Sequence, residues 1–208
     1  MRDVLTLTRR DLIAGAAALA ALSLAGPLAA QGVRPVVEMS LGAPDAPVTL
    51  IEYASFTCPH CAAFNKEVMP RIKAEYIDTG KVRLVYREVY FDGPSLWASV
   101  VARCAGEDRF FGVVDLLFTK QADWAHAQSG QDVVAGLTSI GKEAGLTEGE
   151  VMACLNDEAF RKSLVEEFQK NAAADDVRAT PSFVMNGRKV TNMPWPEFKA
   201  EIDAALGS

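Results

Sequence analysis

Two cysteines separated by two residues carry the clearest chemistry in this sequence. Cys58, Pro59, His60 and Cys61 follow an apolar segment, residues 48–53, and they open a helical pattern. A pair at this spacing closes a small disulfide ring when the first turn of a helix holds the two side chains together. The segment therefore predicts a redox-active dithiol.

The position of Cys58 at a predicted helix N-terminus makes it the reactive sulfur. Unpaired backbone N–H groups and the positive end of the helix dipole favour its thiolate over its thiol. Pro59 fits the first helical position, because its missing N–H would be unpaired there anyway. The His60 imidazole donates to the thiolate or carries a positive charge near it. Stabilising the reduced form makes the disulfide a stronger oxidant.

A zinc site and a purely structural disulfide are the alternatives for the same residues. A closed structural zinc site needs four ligands, and such sites usually draw on a second closely spaced pair. The other candidate ligands, Cys104, Cys154 and His126, are scattered along the chain. The preceding strand and the Pro-His pair favour the redox dithiol over both alternatives.

The first 30 residues have the composition of an export signal. Arg9 and Arg10 precede an uncharged stretch rich in alanine and leucine, residues 12–25, and small residues follow up to Ala30, where we place the cleavage. The paired arginines indicate a twin-arginine route, with an ordinary secretory signal or an uncleaved anchor as alternatives. Export predicts a periplasmic location, in which disulfides persist.

Composition excludes some classes of function. The chain has 208 residues and a formal net charge of −6, with 27 acidic and 21 basic side chains, which gives no indication of nucleic-acid binding. A chain of this length buries a sizeable core, and one domain with an insertion fits better than two domains. We expect a monomer without a cofactor.

Hydrophobic patterning predicts an α/β unit that is interrupted and then completed. Strands over residues 48–53 and 82–89 flank a helix from 58 to about 79, which is a parallel β-α-β unit. Strand patterns resume at 182–185 and 188–191 around the Asn186-Gly187 hairpin signal. Between the two parts the pattern is helical, over residues 95–104, 108–119, 131–144, 147–155 and 158–173, and a last helix covers 195–206.

Four segments in this order resemble the DsbA-like thiol oxidases: residues 41–53, the Cys58–Cys61 centre, residues 92–95 and residues 180–183. The resemblance implies an α/β, thioredoxin-like fold with an inserted all-helical domain. We assign residues 31–91 and 177–208 to the thioredoxin-like domain and residues 92–176 to the insert. It also implies an exported enzyme that donates its disulfide to reduced exported proteins and is reoxidised by a membrane quinone-linked partner similar to DsbB.

The resemblance also assigns roles to individual residues. Cys58 would be the exposed nucleophile and Cys61 the buried resolving cysteine. Thr180-Pro181 matches a loop whose proline is cis and lies beside the disulfide, which would turn the backbone from Arg178 to Thr180 outward for an extended substrate. Thr180 departs from the valine of the best-known oxidases, and threonine is common in related isomerases and reductases.

Glu52 is the one charge in an otherwise apolar strand. One interpretation is a strand-end carboxylate that reaches solvent. The other, which matches a buried glutamate of the family, places Glu52 beneath the cysteine pair. Burial there would raise its pKa and let it exchange a proton with Cys61.

Cys104 and Cys154 each lie on the apolar side of a predicted helix. Two buried free thiols are one interpretation. An oxidising compartment favours a Cys104–Cys154 disulfide that staples the helical insert. We expect no catalytic role for this pair, since neither cysteine has a close partner or a helix-start signal.

Two other functions fit the same motif. A disulfide isomerase or reductase of this fold would keep the dithiol reduced through a membrane electron donor. A metal-delivering thioredoxin-like module would carry copper or zinc on Cys58, Cys61 and a histidine. The sequence favours a protein dithiol oxidase over both.

Overall fold

The computed structural model describes residues 35–207, so the predicted export signal lies outside the described residues. Five strands form one sheet in the order β1-β3-β2-β4-β5. Central strands β2 and β3 are parallel, and every other neighbouring pair is antiparallel. The strands are β1 (Met39–Leu41), β2 (Val48–Ala54), β3 (Val82–Glu88), β4 (Ser182–Met185) and β5 (Arg188–Val190).

Helices connect the strands in two groups. Between β2 and β3 lie α1 (Pro59–Glu67), α2 (Met69–Ile72) and a π-helical turn (Lys73–Ile77), and α9 (Trp195–Ala205) follows β5. Six helices lie between β3 and β4, and we call them the helical insert. They are α3 (Gly93–Cys104), α4 (Glu107–Thr119), α5 (Gln121–Trp124), α6 (Gly130–Glu143), α7 (Glu148–Leu155) and α8 (Glu158–Ala174).

The structure differs from the sequence expectation in three short places. The helix predicted from 58 to 79 breaks at Val68, because Pro70 has no N–H to donate and its ring clashes with the carbonyl four residues back. The three-residue strand β1 and the four-residue helix α5 were not predicted. Segments this short contain too few residues to show a hydrophobic period.

Two large clusters of buried side chains hold these layers together. One lies between the sheet, α1 and α9 and includes Leu50, Phe64 and Phe198. The other lies between the sheet and the helical insert and includes Cys61 and Tyr86. The dithiol helix is therefore packed on one side by the sheet core and on the other by the insert.

Candidate dithiol active site

The nucleophile predicted from the sequence stands at the N-terminus of α1. Strand β2 ends at Ala54, and a short loop of residues 55–57 leads to Cys58, the N-cap of α1, which has an extended backbone (φ −80, ψ 119). Cys58 is half-buried, whereas Cys61, one turn later, is fully buried. Both cysteines are free thiols in this structure.

Hydrogen bonds to Cys58 favour its thiolate. The bond from the Cys61 thiol has the largest effect, and bonds from the Thr180 side chain and the backbone N–H groups of His60 and Cys61 add to it. Together they exceed the opposing effect of burial and lower the pKa of Cys58 to about 5. In its thiol form Cys58 Sγ donates to the Thr180 carbonyl oxygen at 3.4 Å.

The pKa of Cys61 is shifted in the opposite direction. Its hydrogen bond to the Cys58 sulfur and its burial raise the pKa of the Cys61 thiol well above the ordinary value. Near neutral pH the reduced pair therefore holds one thiolate on Cys58 and one thiol on Cys61. This asymmetry favours Cys58 over Cys61 as the more reactive sulfur.

Glu52 lies within β2, between neighbours from both adjacent strands: Tyr86 on β3 and Phe183 on β4. Its relative exposure is 1%, so the carboxyl does not reach solvent. Burial raises the pKa of Glu52 to about 8, and the charged form of Glu52 acts electrostatically on Cys61. The carboxyl is therefore largely protonated near neutral pH.

The two residues between the cysteines are exposed. Pro59 occupies the first turn of α1, where its missing N–H leaves no hydrogen bond unmade. His60 acts on Cys58 through its backbone N–H. The structure adds this main-chain contribution to the effect of the imidazole, which stays a prediction.

The loop before β4 faces the dithiol. Its Thr180–Pro181 peptide bond is cis, and Pro181 is buried. Arg178 is exposed and pairs with Asp176 at 2.8 Å. A surface groove of about 290 Å³ runs past this loop, and its lining includes Ala179 and Pro181. The structure thus brings Thr180 into contact with Cys58, with the buried Pro181 directly after it in the chain, and leaves Arg178 exposed.

Residues of the helical insert contact the active-site loop, and sequence reasoning missed them. Gln121 donates from Nε2 to the Phe56 and Cys58 carbonyl oxygens, at 2.8 Å and 3.0 Å. Thr57 Oγ1 donates to the Asp92 carboxylate at 2.7 Å. A lone glutamine in a helical segment belongs to no motif, so the only sequence signal was a polar residue close to the apolar positions of α4.

The second cysteine pair lies entirely in the helical insert. Cys104 and Cys154 form a disulfide with a Cα–Cα distance of 6.4 Å and a sequence separation of 50. Cys104 is the last residue of α3, and Cys154 is the penultimate residue of α7. The bond therefore joins two helices of the insert.

The described residues contain neither a metal-binding cluster nor a candidate membrane span. Within residues 35–207, no group of three or more His, Cys, Asp or Glu side chains is arranged to hold a metal ion. In the same range, no helix has the length and apolar character that a membrane crossing requires.

A mixed sheet with a helical insert, a Cys-Pro-His-Cys centre at a helix N-terminus and a facing cis-proline loop define a thiol–disulfide protein of the thioredoxin class. A sequence model of the thioredoxin family matches residues 35–204. The chain belongs to the DsbA-like family of thioredoxin-fold disulfide oxidoreductases. The family and the fold class predicted from the sequence are thereby confirmed.

Individual relatives agree with this placement. Disulfide bond formation protein D of Bacillus subtilis is 30% identical over 178 residues, which cover 80% of this chain and 76% of the relative. A Rickettsia bellii protein, named as a candidate protein-disulfide oxidoreductase, is 34% identical over 170 residues, or 81% of this chain. The match spans 64% of the length of the Rickettsia bellii protein.

Solved structures show the same fold. The crystal structure of alpha-DsbA1 from Wolbachia pipientis has a TM-score of 0.76 and 26% identity, covering 84% of this chain and 94% of that chain. Oxidised BdbD from Bacillus subtilis has a TM-score of 0.73 and 27% identity, with 84% and 97% coverage. The thioredoxin-like sheet with an inserted helical region is therefore a shared architecture.

Proposed function

We propose that this protein is an exported protein dithiol oxidase that donates the Cys58–Cys61 disulfide to reduced proteins. The observation that carries the proposal is the asymmetry of the pair: a stabilised thiolate on Cys58 and a buried, protonated thiol on Cys61. A disulfide whose reduced form is stabilised in this way gives up its bond readily.

The first step is attack on the exposed sulfur. A substrate thiolate attacks Cys58 Sγ of the oxidised enzyme, the Cys58–Cys61 bond breaks, and a mixed disulfide forms on Cys58. Cys61 leaves as a thiolate. Because Glu52 holds a proton near neutral pH, it supplies that proton to Cys61.

The second step releases the product. A second substrate thiolate attacks the substrate sulfur of the mixed disulfide, a substrate disulfide forms, and Cys58 leaves as a thiolate. The substrate loses two electrons and the enzyme gains them. Because the Cys58 thiolate is stabilised, Cys58 is a good leaving group in this step.

The substrates of this proposal are reduced, exported polypeptides. Thr180 contacts Cys58, and a groove lined by Ala179 and Pro181 runs past the same loop, so an extended chain would pair with residues 178–180 like an added strand. The proposed location is the periplasm, with cleavage of the signal near Ala30 and a membrane quinone-linked partner similar to DsbB as the reoxidant. The relatives named for disulfide oxidoreduction and disulfide bond formation support the proposed activity on reduced proteins.

The reduction potential of the Cys58–Cys61 couple tests the proposal. The mature protein is equilibrated with reduced and oxidised glutathione, and the thiols are counted by alkylation. We expect a potential above about −200 mV, on the oxidising side of the glutaredoxins. A potential near the thioredoxin value of about −270 mV would reject the oxidase.

A disulfide isomerase or reductase is the second candidate, and Thr180 is the observation that favours it. The residue before the cis-proline contacts the nucleophile directly, and threonine there resembles isomerases and reductases more than the best-known oxidases. The two candidates differ in the resting state of the dithiol. Alkylation of the protein in intact cells distinguishes them, because an oxidase rests as a disulfide and the alternative rests reduced.

A further inference from the structure

Gln121 is a residue of the helical insert that hydrogen-bonds to the backbone beside the dithiol. It is the first residue of α5, and its side chain is largely buried, with 8% relative exposure. The helix that carries it is fixed in place: Trp124 is fully buried and donates from Nε1 to the Leu117 carbonyl at 3.0 Å. Helix α6 packs tightly on Trp124, since a Cβ at Gly136 would lie 2.7 Å from Trp124 Cβ.

One amide group of Gln121 ties the backbone on both sides of Thr57. Its Nε2 donates to Phe56 O at 2.8 Å and to Cys58 O at 3.0 Å. Phe56 is fully buried, and a buried carbonyl without a donor costs about 1–3 kcal/mol. The Cys58 carbonyl also accepts the first helical bond, from Ala62 N at 3.2 Å. The amide therefore ties together the peptide units 56–57 and 58–59, between which the Cys58 Cα lies.

The direction of the Cys58 side chain depends on the backbone between these two tied peptide units. The groups that stabilise its thiolate are the Cys61 thiol, the Thr180 side chain and two backbone N–H groups of α1. Each is effective only over hydrogen-bond distances, and hydrogen bonds weaken steeply with misalignment.

We propose that Gln121 is a positioning residue for the dithiol, through which the helical insert sets the orientation of Cys58 and the oxidising strength of the Cys58–Cys61 couple. The inference rests on the proposed function only in taking Cys58 and Cys61 as the working couple. It assigns to the insert a role in the redox chemistry itself.

Gln121→Met tests the inference, because methionine is of similar length and lacks the two N–H donors. Two quantities are measured: the pH at which the Cys58 thiolate forms, followed by its ultraviolet absorbance, and the equilibrium constant with glutathione. We expect thiolate formation to move to higher pH. The equilibrium constant for oxidising glutathione should fall about tenfold, or about 30 mV in potential.

Asn65→Ala is the matched control. Asn65 Nδ2 donates to Asp115 Oδ1 at 3.2 Å and so also joins α1 to the insert, but it does not touch the active-site loop. We expect both measured quantities to stay at the wild-type values in this variant. An equal change in Asn65→Ala and Gln121→Met would overturn the inference, because general contact between α1 and the insert would then be sufficient.

Gln121→Asn keeps the amide but shortens the side chain by one methylene, and it replaces Gln121→Met as the test if that variant does not fold. The inference would also be overturned if the folded Gln121 variant formed the Cys58 thiolate at the wild-type pH and had the wild-type equilibrium constant with glutathione. A different result refutes the proposed function instead: a wild-type protein whose Cys58 titrates at the ordinary thiol pKa and whose potential is near that of thioredoxin. The two failures are therefore distinguishable.

Discussion

The two cysteine pairs of this protein lie at opposite ends of helices. Cys58 caps the N-terminus of α1, whereas Cys104 ends α3 and Cys154 is penultimate in α7. Unpaired N–H groups and the positive end of the dipole favour a thiolate at an N-terminus, and the carbonyl groups of a C-terminus disfavour one. A cysteine thiolate is therefore favoured at the position of Cys58 and disfavoured at the positions of Cys104 and Cys154.

Loop length adds to this difference. On the chain-entropy relation, a disulfide between residues 104 and 154, with a separation of 50, stabilises by about 4 kcal/mol, and one between residues three apart by about 2 kcal/mol. The Cys58–Cys61 bridge lowers the conformational entropy of the unfolded chain by less, so it stabilises the protein less. Its reduced form is in addition stabilised by hydrogen bonds to Cys58. We therefore expect the position of a cysteine on its helix, and not only its pairing, to decide whether its disulfide reacts.

Exchanging cysteines for inert residues should separate the two pairs most clearly. We expect Cys58→Ser to reduce the oxidation of an unfolded, reduced test protein to background, because Cys61 alone cannot form the disulfide that the substrate attacks. The double variant Cys104→Ala/Cys154→Ala should keep a rate close to that of the wild type.

Cys61→Ser is the control for order of attack, since its free Cys58 should accumulate a mixed disulfide when it is offered a disulfide. Mass spectrometry detects that adduct on Cys58. A severe loss of activity in the double alanine variant would contradict the division into a reactive and a structural pair.

Breaking the two disulfides should change the unfolding free energy in opposite directions. The double variant Cys104→Ala/Cys154→Ala should lose about 4 kcal/mol of unfolding free energy. Mild reduction of Cys58–Cys61 in the wild type should instead stabilise the protein, because the Cys58 thiolate is stabilised in the folded state. Urea unfolding of the oxidised, reduced and double-variant proteins measures all three values. A reduced wild type that is less stable than the oxidised one would count against an oxidising couple.

Glu52 acts electrostatically on Cys61, so Glu52→Gln should lower turnover and leave the Cys104–Cys154 disulfide intact. We expect the rate of dithiol oxidation to fall roughly tenfold to a hundredfold, because the glutamine amide cannot supply a proton to Cys61. Stopped-flow measurement at neutral pH checks this. A wild-type rate in a folded Glu52→Gln variant would remove Glu52 from the mechanism.

The same carboxyl should make the stability of the oxidised protein depend on pH. Between about 4.5 and about 8, Glu52 keeps its proton in the folded protein and loses it in the unfolded chain. The folded state binds more protons in that window, so raising the pH lowers the unfolding free energy, by up to about 4 kcal/mol. Cys58 does not titrate in the disulfide, and Glu52→Gln serves as the control because it lacks this contribution.

The smallest expected effect is the slope of the potential with pH. With Cys58 ionised and Cys61 protonated, reduction takes up one proton for two electrons, so the potential should fall by about 30 mV per pH unit from pH 6 to 8. The Cys104–Cys154 couple should fall by about 60 mV per unit, since both of its thiols take up protons. Equal slopes for the two couples would contradict a thiolate on Cys58.

Much of the fold and of the candidate site followed from local patterns in the sequence. The apolar run that ends in Ala54, the proline after Cys58 and the helical periods of the insert are local signals, and they predicted the strand–helix junction that holds the dithiol. The break at Val68 was missed, although Pro70 is a local signal for it. The assignments of residues 31–91, 92–176 and 177–208 to separate domains stay predictions.

The sequence by itself determined that the chain has a dithiol at a helix N-terminus, an interrupted α/β unit and two further cysteines. Only the tertiary structure decided what surrounds the dithiol. Cys58 and Thr180 are 122 residues apart, and Cys58 and Gln121 are 63 apart. Hydrophobic periodicity reports which face of an element is buried and not which distant residue it meets. The contacts of Cys58 with Cys61 and with the N–H groups of His60 and Cys61 are therefore local to α1, whereas its contacts with Thr180 and Gln121 come from tertiary packing.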